Sequence, residues 1–142
     1  MSEKVKLLEQ WFQRVWNEAD LDAIDDYFSH DTKAGGLMPD MRLGPQDFKD
    51  FVPLILALLD DLHIELLNNT ENEDWLQSLY KVTALSAATS APIQVLGQVT
   101  VRVENGKIIE AYNCFDFMGF FEQLGQLPEQ SIAICLTGGN LR

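Results

Sequence analysis

The hydrophobic pattern of this chain changes period once, at Asp60-Asp61, and that change sets the architecture. Before it, apolar residues recur at intervals of three and four. Val5, Leu8, Phe12, Val15 and Trp16 make one helical stripe with Ser2 as its N-cap. Leu21, Ile24 and Phe28 make a second over 21–28, with Asp20 in the capping position. Pro45 opens a third helix, where its missing N–H costs nothing, and Phe48, Phe51, Val52, Ile55 and Leu59 carry the buried side. Pro53 sits awkwardly inside that helix, because it removes a backbone hydrogen bond and bends the axis. Residues 31–44, with Gly35-Gly36, Pro39-Asp40 and Gly44-Pro45, are expected to form a loop.

After Asp60-Asp61 the pattern is that of strands, at 63–67, 75–88, 93–103 and 107–116. Asn105-Gly106 joins the last two as a hairpin turn. Phe117–Leu124 reads as a short apolar helix stopped by Gly125 and Pro128. Helices first and strands later is the order of an α+β domain, with helices on one face of an antiparallel sheet.

At 142 residues, 46% hydrophobic and 23% charged, the chain fits one globular domain, expected over 1–128, with 129–142 as a C-terminal tail. Its net charge of −12 repels phosphate backbones and anionic lipid, so neither nucleic acid nor a membrane surface is an expected partner. The apolar run Phe51 to Leu59 is well short of the ~20 residues of a membrane span. The charges of the opening residues precede no long apolar stretch, so no signal peptide is expected and the location reads as cytoplasmic. Cys114 and Cys135 make neither a disulfide framework nor a metal motif, and His30 and His63 are too far apart in sequence to suggest one. No metal and no cofactor is expected.

A two-residue turn at Asn105-Gly106 puts Glu104 opposite Lys107 and defines the two faces of the hairpin. One face carries Val95, Gly97, Val99, Val101 and Val103 with Ile108, Glu110, Tyr112, Cys114 and Asp116. The other carries Leu96, Gln98, Thr100 and Arg102 with Ile109, Ala111, Asn113 and Phe115. The valine-rich face is the one expected to meet the aromatic helices. Glu110 lies near the turn, where solvent reaches it. Asp116 precedes Phe117, Met118, Phe120 and Phe121, and two roles fit it. Desolvation there would raise its pKa towards the range of proton transfer; alternatively, it caps the helix that follows. Tyr112 and Tyr80 are core tyrosines or donors to a substrate oxygen. A bulge in either strand would exchange the faces.

In order, Trp11-Phe12-Gln13-Arg14-Val15-Trp16-Asn17-Glu18-Ala19-Asp20-Leu21-Asp22-Ala23-Ile24-Asp25, Gly44-Pro45-Gln46-Asp47-Phe48-Lys49 and Arg102-Val103-Glu104-Asn105-Gly106-Lys107-Ile108-Ile109-Glu110 resemble the SnoaL-like branch of the nuclear transport factor 2-like superfamily. Tyr112, Phe115, Asp116 and Gln123-Leu124-Gly125 extend the resemblance, which covers roughly residues 5 to 128. It implies a cone-shaped α+β fold, a curved sheet wrapped around the three N-terminal helices with an apolar pocket at the open end, and a homodimer. Phe12, Trp16, Tyr80, Val95, Val99, Cys114 and Phe120 are the residues expected to line that pocket. In the polyketide cyclase members, an aspartate at the position of Asp116 is the general acid/base of an aldol closure, with Tyr112 beside it here. The chain departs from the family at Ser86–Pro92, which holds no histidine, and at Asn113, where an acid is common.

Three functions are compatible with these residues. One is a cyclase, isomerase or lyase that moves a proton beside a carbonyl through Asp116, on a small apolar molecule. A second is a carrier that binds such a molecule without turning it over. A third is an interaction dimer using the outer sheet face.

Overall fold

The computed structural model describes residues 2–142. Helix α1 spans Glu3–Trp11 and starts at Ser2, whose hydroxyl accepts from Val5 N at 3.1 Å. It continues into a wide π-helical turn, Phe12–Asn17. A 3-10 turn, Leu21–Ala23, leads into the short α2, Ile24–Tyr27. Strands β1, Phe28–Met38, and β2, Met41–Leu43, come before α3, Pro45–Leu56. Four long strands follow: β3, Leu59–Asn72; β4, Trp75–Ser86; β5, Pro92–Glu104; and β6, Lys107–Phe115. Helices α4, Phe117–Gln123, and α5, Ser131–Leu136, end the chain.

The strands form one sheet in the order β2-β1-β6-β5-β4-β3. All neighbours are antiparallel except β1 and β6, which run parallel. Along β4 the alternation is strict. Leu76, Ser78, Tyr80, Val82, Ala84 and Ser86 are buried, while every residue between them keeps solvent contact. The α1 helix, the π turn and α3 lie over this inner face. Trp11 stacks on Phe28 with centroids 4.5 Å apart, and Phe48 meets both rings edge-on at 5.5 and 5.2 Å. Contacts of this kind contribute about 0.5–1.5 kcal/mol each beyond area burial. Pro53 lies within α3 but is exposed, where water can serve the carbonyl that its ring leaves unbonded.

Three expectations are corrected here. The helix read over 21–28 is split, Asp20 makes no cap bond, and Phe28 already belongs to β1. Asp20 instead pairs with Arg14 at 3.2 Å. The loop read over 31–44 is the hairpin β1–β2, and only Pro39-Asp40 forms its turn. Gly35 and Gly36 signal close approach there, not a break. Gly36 has φ +88°, and a Cβ on it would stand 1.9 Å from the carbonyl oxygen of Asn113 on β6. Third, the opposed positions of β5 and β6 hold only as far as Val103↔Ile108; the next pair is Arg102↔Glu110.

Ile109 is therefore the extra residue of a β-bulge, and it exchanges the faces of β6. Ile108 and Ala111 point inward at 2% and 4% exposure, and Tyr112 points outward at 47%. The β1–β6 register breaks at the same level, between Phe28↔Ile108 and Lys33↔Glu110. Fully buried Thr32 fills the break: its hydroxyl donates to Ile108 O at 2.6 Å and accepts from Ser29 N at 2.9 Å. Among the described residues, no helix is long and apolar enough to cross a membrane. Thr32→Val keeps the shape and removes the donor. It is expected to lower stability by about 1–3 kcal/mol, because the Ile108 carbonyl is left unsatisfied; equilibrium urea unfolding measures the loss.

Candidate functional site

Between the helices and the inner sheet face lies a cavity of about 80 Å³. The wide turn of the π segment, with Glu18 N bonded five residues back to Gln13 O, brings Phe12 and Trp16 to one side of it. Phe48 and Phe51 of α3 and Phe117 and Phe120 of α4 add further aromatic wall. The sheet contributes Tyr80, Val99, Val101, Ala111, Asn113 and Phe115. Among the described residues, none that lines the cavity is an acidic residue, a lysine, an arginine or a histidine.

Tyr80 supplies a hydroxyl. Its ring lies over Gly97, its neighbour on β5, so closely that a Cβ there would be 2.4 Å from Tyr80 Cζ. The same ring packs against Phe12 with centroids 5.0 Å apart. Burial pushes the Tyr80 phenol up to about 12, with the Cys114 thiol adding to the shift, so the group is a neutral donor at physiological pH. The hydroxyls of Tyr27 and Tyr112 bond Arg14 and Glu110. Among the described residues, no such partner is found for Tyr80 Oη. Asn113 supplies a carboxamide. Its Nδ2 donates to Gly35 O at 3.2 Å, and since that carbonyl can only accept, Oδ1 is the free end of the amide.

The structure brings Phe12, Trp16, Tyr80, Val99 and Phe120 together around this cavity. Val95 is buried elsewhere, in a smaller cluster with Leu59, Ala84 and Ile93 beneath α4. Tyr112, Cys114 and Asp116 lie outside the cavity, and the bulge at Ile109 is the reason. Cys114 is exposed on the outer face. Tyr112 donates to Glu110 Oε2 at 2.6 Å and stacks on Trp75. That bond and Arg102 hold the Glu110 carboxyl below its usual range. Asp116 is exposed and caps α4, its Oδ1 accepting from Gly119 N at 2.9 Å. Of the two roles read for it, the cap is the one present in the structure.

An unbulged hairpin puts Asn113, Ala111 and Phe115 on the outer face; in the structure all three line the cavity. Leu37 was missed with the strand that carries it. One signal was available: Asn113 is the polar residue between the apolar Ala111 and Phe115, two positions away on either side. His63 is exposed beside Asp61, and His30 beside Asp31. Among the described residues, no group of three or more His, Cys, Asp or Glu side chains is placed to hold a metal ion.

The sequence pattern of SnoaL-like polyketide cyclases matches residues 6–124. No curated protein matches the chain. Several solved structures share its fold. One, from Acidithiobacillus ferrooxidans and described as a candidate polyketide cyclase, is 21% identical with a TM-score of 0.73, over 88% of this chain and 96% of that one. IdmH from Streptomyces antibioticus, a candidate polyketide cyclase as well, is 15% identical with a TM-score of 0.75, over 85% and 97%. A protein of Catenulispora acidiphila with a ketosteroid isomerase-like fold, solved with trimethylamine, is 12% identical with a TM-score of 0.72, over 84% and 92%. At such identities the likeness shows the fold alone.

Two measurements check the placement of Asp116 and Tyr80. Asp116→Ala is expected to lower stability by about 0.5–2 kcal/mol, whereas Asp116→Asn keeps a cap acceptor and changes it by a few tenths; urea unfolding of the two variants reads the difference. For Tyr80 the folded value of about 12 exceeds the ordinary 10, so above pH 10 the unfolded chain gives up its proton first. Stability therefore falls as pH rises from about 10 to about 12. Tyr80→Phe is expected to flatten that part of the stability profile.

Proposed function

The chain belongs to the SnoaL-like polyketide cyclase family, and from that premise we propose that it is a small-molecule pocket protein that holds an apolar ligand by an oxygen atom at Tyr80. The observation that carries this reading is Tyr80, a residue 6% exposed that lines the cavity and packs against Phe12, and whose hydroxyl has no protein partner among the described residues. An acceptor atom on a ligand can take the hydrogen bond that the protein leaves open at this hydroxyl. Donation to a ligand carbonyl also polarises it, a catalytic contribution that this wall can make. Proton transfer would need a base, and among the described residues no carboxylate or histidine lines the wall. Binding, with the carbonyl polarised, is therefore the function this geometry supports best, and a fold alone assigns no reaction.

Trp11 and Trp16 line the cavity and Trp75 does not, so their indole N–H signals in NMR report on it. Acetophenone and ethylbenzene are close in shape and differ in the carbonyl. Titration with acetophenone is expected to shift the Trp11 and Trp16 signals, and Tyr80→Phe to weaken acetophenone about 2- to 10-fold while leaving ethylbenzene unchanged. Equal weakening of both ligands, or shifts confined to Trp75, would refute the reading.

A further inference from the structure

We propose that the cavity selects uncharged single-ring molecules bearing an acceptor oxygen, and excludes both carboxylates and fused polycycles. This rests on the small-molecule pocket reading above and narrows it by size and charge. Size is the first constraint. The cavity measures about 80 Å³, against about 150 Å³ for an engineered apolar cavity that takes benzene and roughly 300–1,000 Å³ for pockets of drug-sized ligands. A single ring already requires the wall to yield a little.

The wall can yield in some places and not in others. Phe48, Val99, Val101 and Ala111 are at most 5% exposed and packed into the core, so they have no free volume to move into. Leu37, Ile55, Leu62 and Phe117 line the same cavity but are only partly buried. They belong to four different elements: β1, α3, β3 and α4. Their displacement admits one ring; a fused tricycle would have to push into the packed side.

Charge is the second constraint. A carboxylate brought into this cavity would meet no lysine, arginine or histidine among the described residues, and an unpaired buried charge is strongly disfavoured. The net charge of −12 opposes its approach as well. A neutral acceptor meets the Tyr80 hydroxyl, and the free Oδ1 of Asn113 offers a place for a donor on the same ligand.

The test is a chemical-shift titration of the Ala111 methyl and the Asn113 side-chain amide at neutral pH, on the full chain. The probes are acetophenone, benzoate and 2-acetylanthracene. Acetophenone is expected to bind, benzoate at least 100-fold more weakly, and 2-acetylanthracene at least 10-fold more weakly. Phe117→Ala removes one yielding wall residue and is expected to improve 2-acetylanthracene relative to acetophenone. Ile55→Ala serves the same purpose should Phe117→Ala not fold. If 2-acetylanthracene matches acetophenone in the wild-type protein, the size limit is wrong and the pocket reading stands. If benzoate matches it, the charge limit is wrong. If none of the three shifts either signal, the pocket reading falls and the proposal with it.

Discussion

The hydrogen bond from Thr32 to the Ile108 carbonyl is the contact around which this fold is arranged. It lies where β6 carries one residue more than β5 and where β1 changes register against β6. A bulge leaves main-chain groups without ladder partners, and a fully buried hydroxyl meets that need at the point of the break. Everything downstream in β6 takes its orientation from there. Ala111, Asn113 and Phe115 turn towards the helices, while Tyr112 and Cys114 turn away. With the opposite phase, a tyrosine and a thiol would line the cavity in place of a carboxamide and a phenyl ring.

The cavity that results is defined by aromatic rings and by two glycines. Gly97 leaves room for the Tyr80 ring to lie flat against β5, and Gly36 lets β1 approach β6 closely enough for Gly35 O to hold the Asn113 amide. The Tyr80 hydroxyl and the Asn113 carboxamide are thus positioned by backbone that has no side chain. Charges are kept to the periphery: Arg102 with Glu110 and Glu104, Lys49 with Asp25, Arg14 with Asp20 and Asp26. These pairs are partly solvated, so their contribution is to organise the surface more than to stabilise it.

Much of this was legible in the sequence. The change of period at Asp60-Asp61 located the four long strands β3–β6 but not β1 and β2, Ser2 marked the start of α1, and Asn105-Gly106 located the β5–β6 hairpin. The stripe that carries Phe12 and Trp16 followed from spacing, and their place at a pocket from the family resemblance. Two features escaped for physical reasons. Gly35 and Gly36 look alike whether they break a strand or let two strands approach, and only the partner strand decides. A one-residue bulge leaves no mark on composition, yet it inverts every later assignment on its strand, because side chains alternate with a period of two. Asp116 illustrates the consequence. Read against the unbulged hairpin it faces the interior; in the folded chain it is an exposed cap.

The make-up of the cavity wall turns on which face of β6 meets the helices. A nuclear Overhauser spectrum of the aromatic side chains reports that directly. It should connect the Phe115 ring to the Phe120 ring, whose centroids are 5.4 Å apart, and the Tyr112 ring to Trp75 at 6.4 Å. Cross-peaks from Tyr112 to Phe12 or Phe120, with none between Phe115 and Phe120, would place Tyr112 and Asp116 on the cavity side and contradict the account.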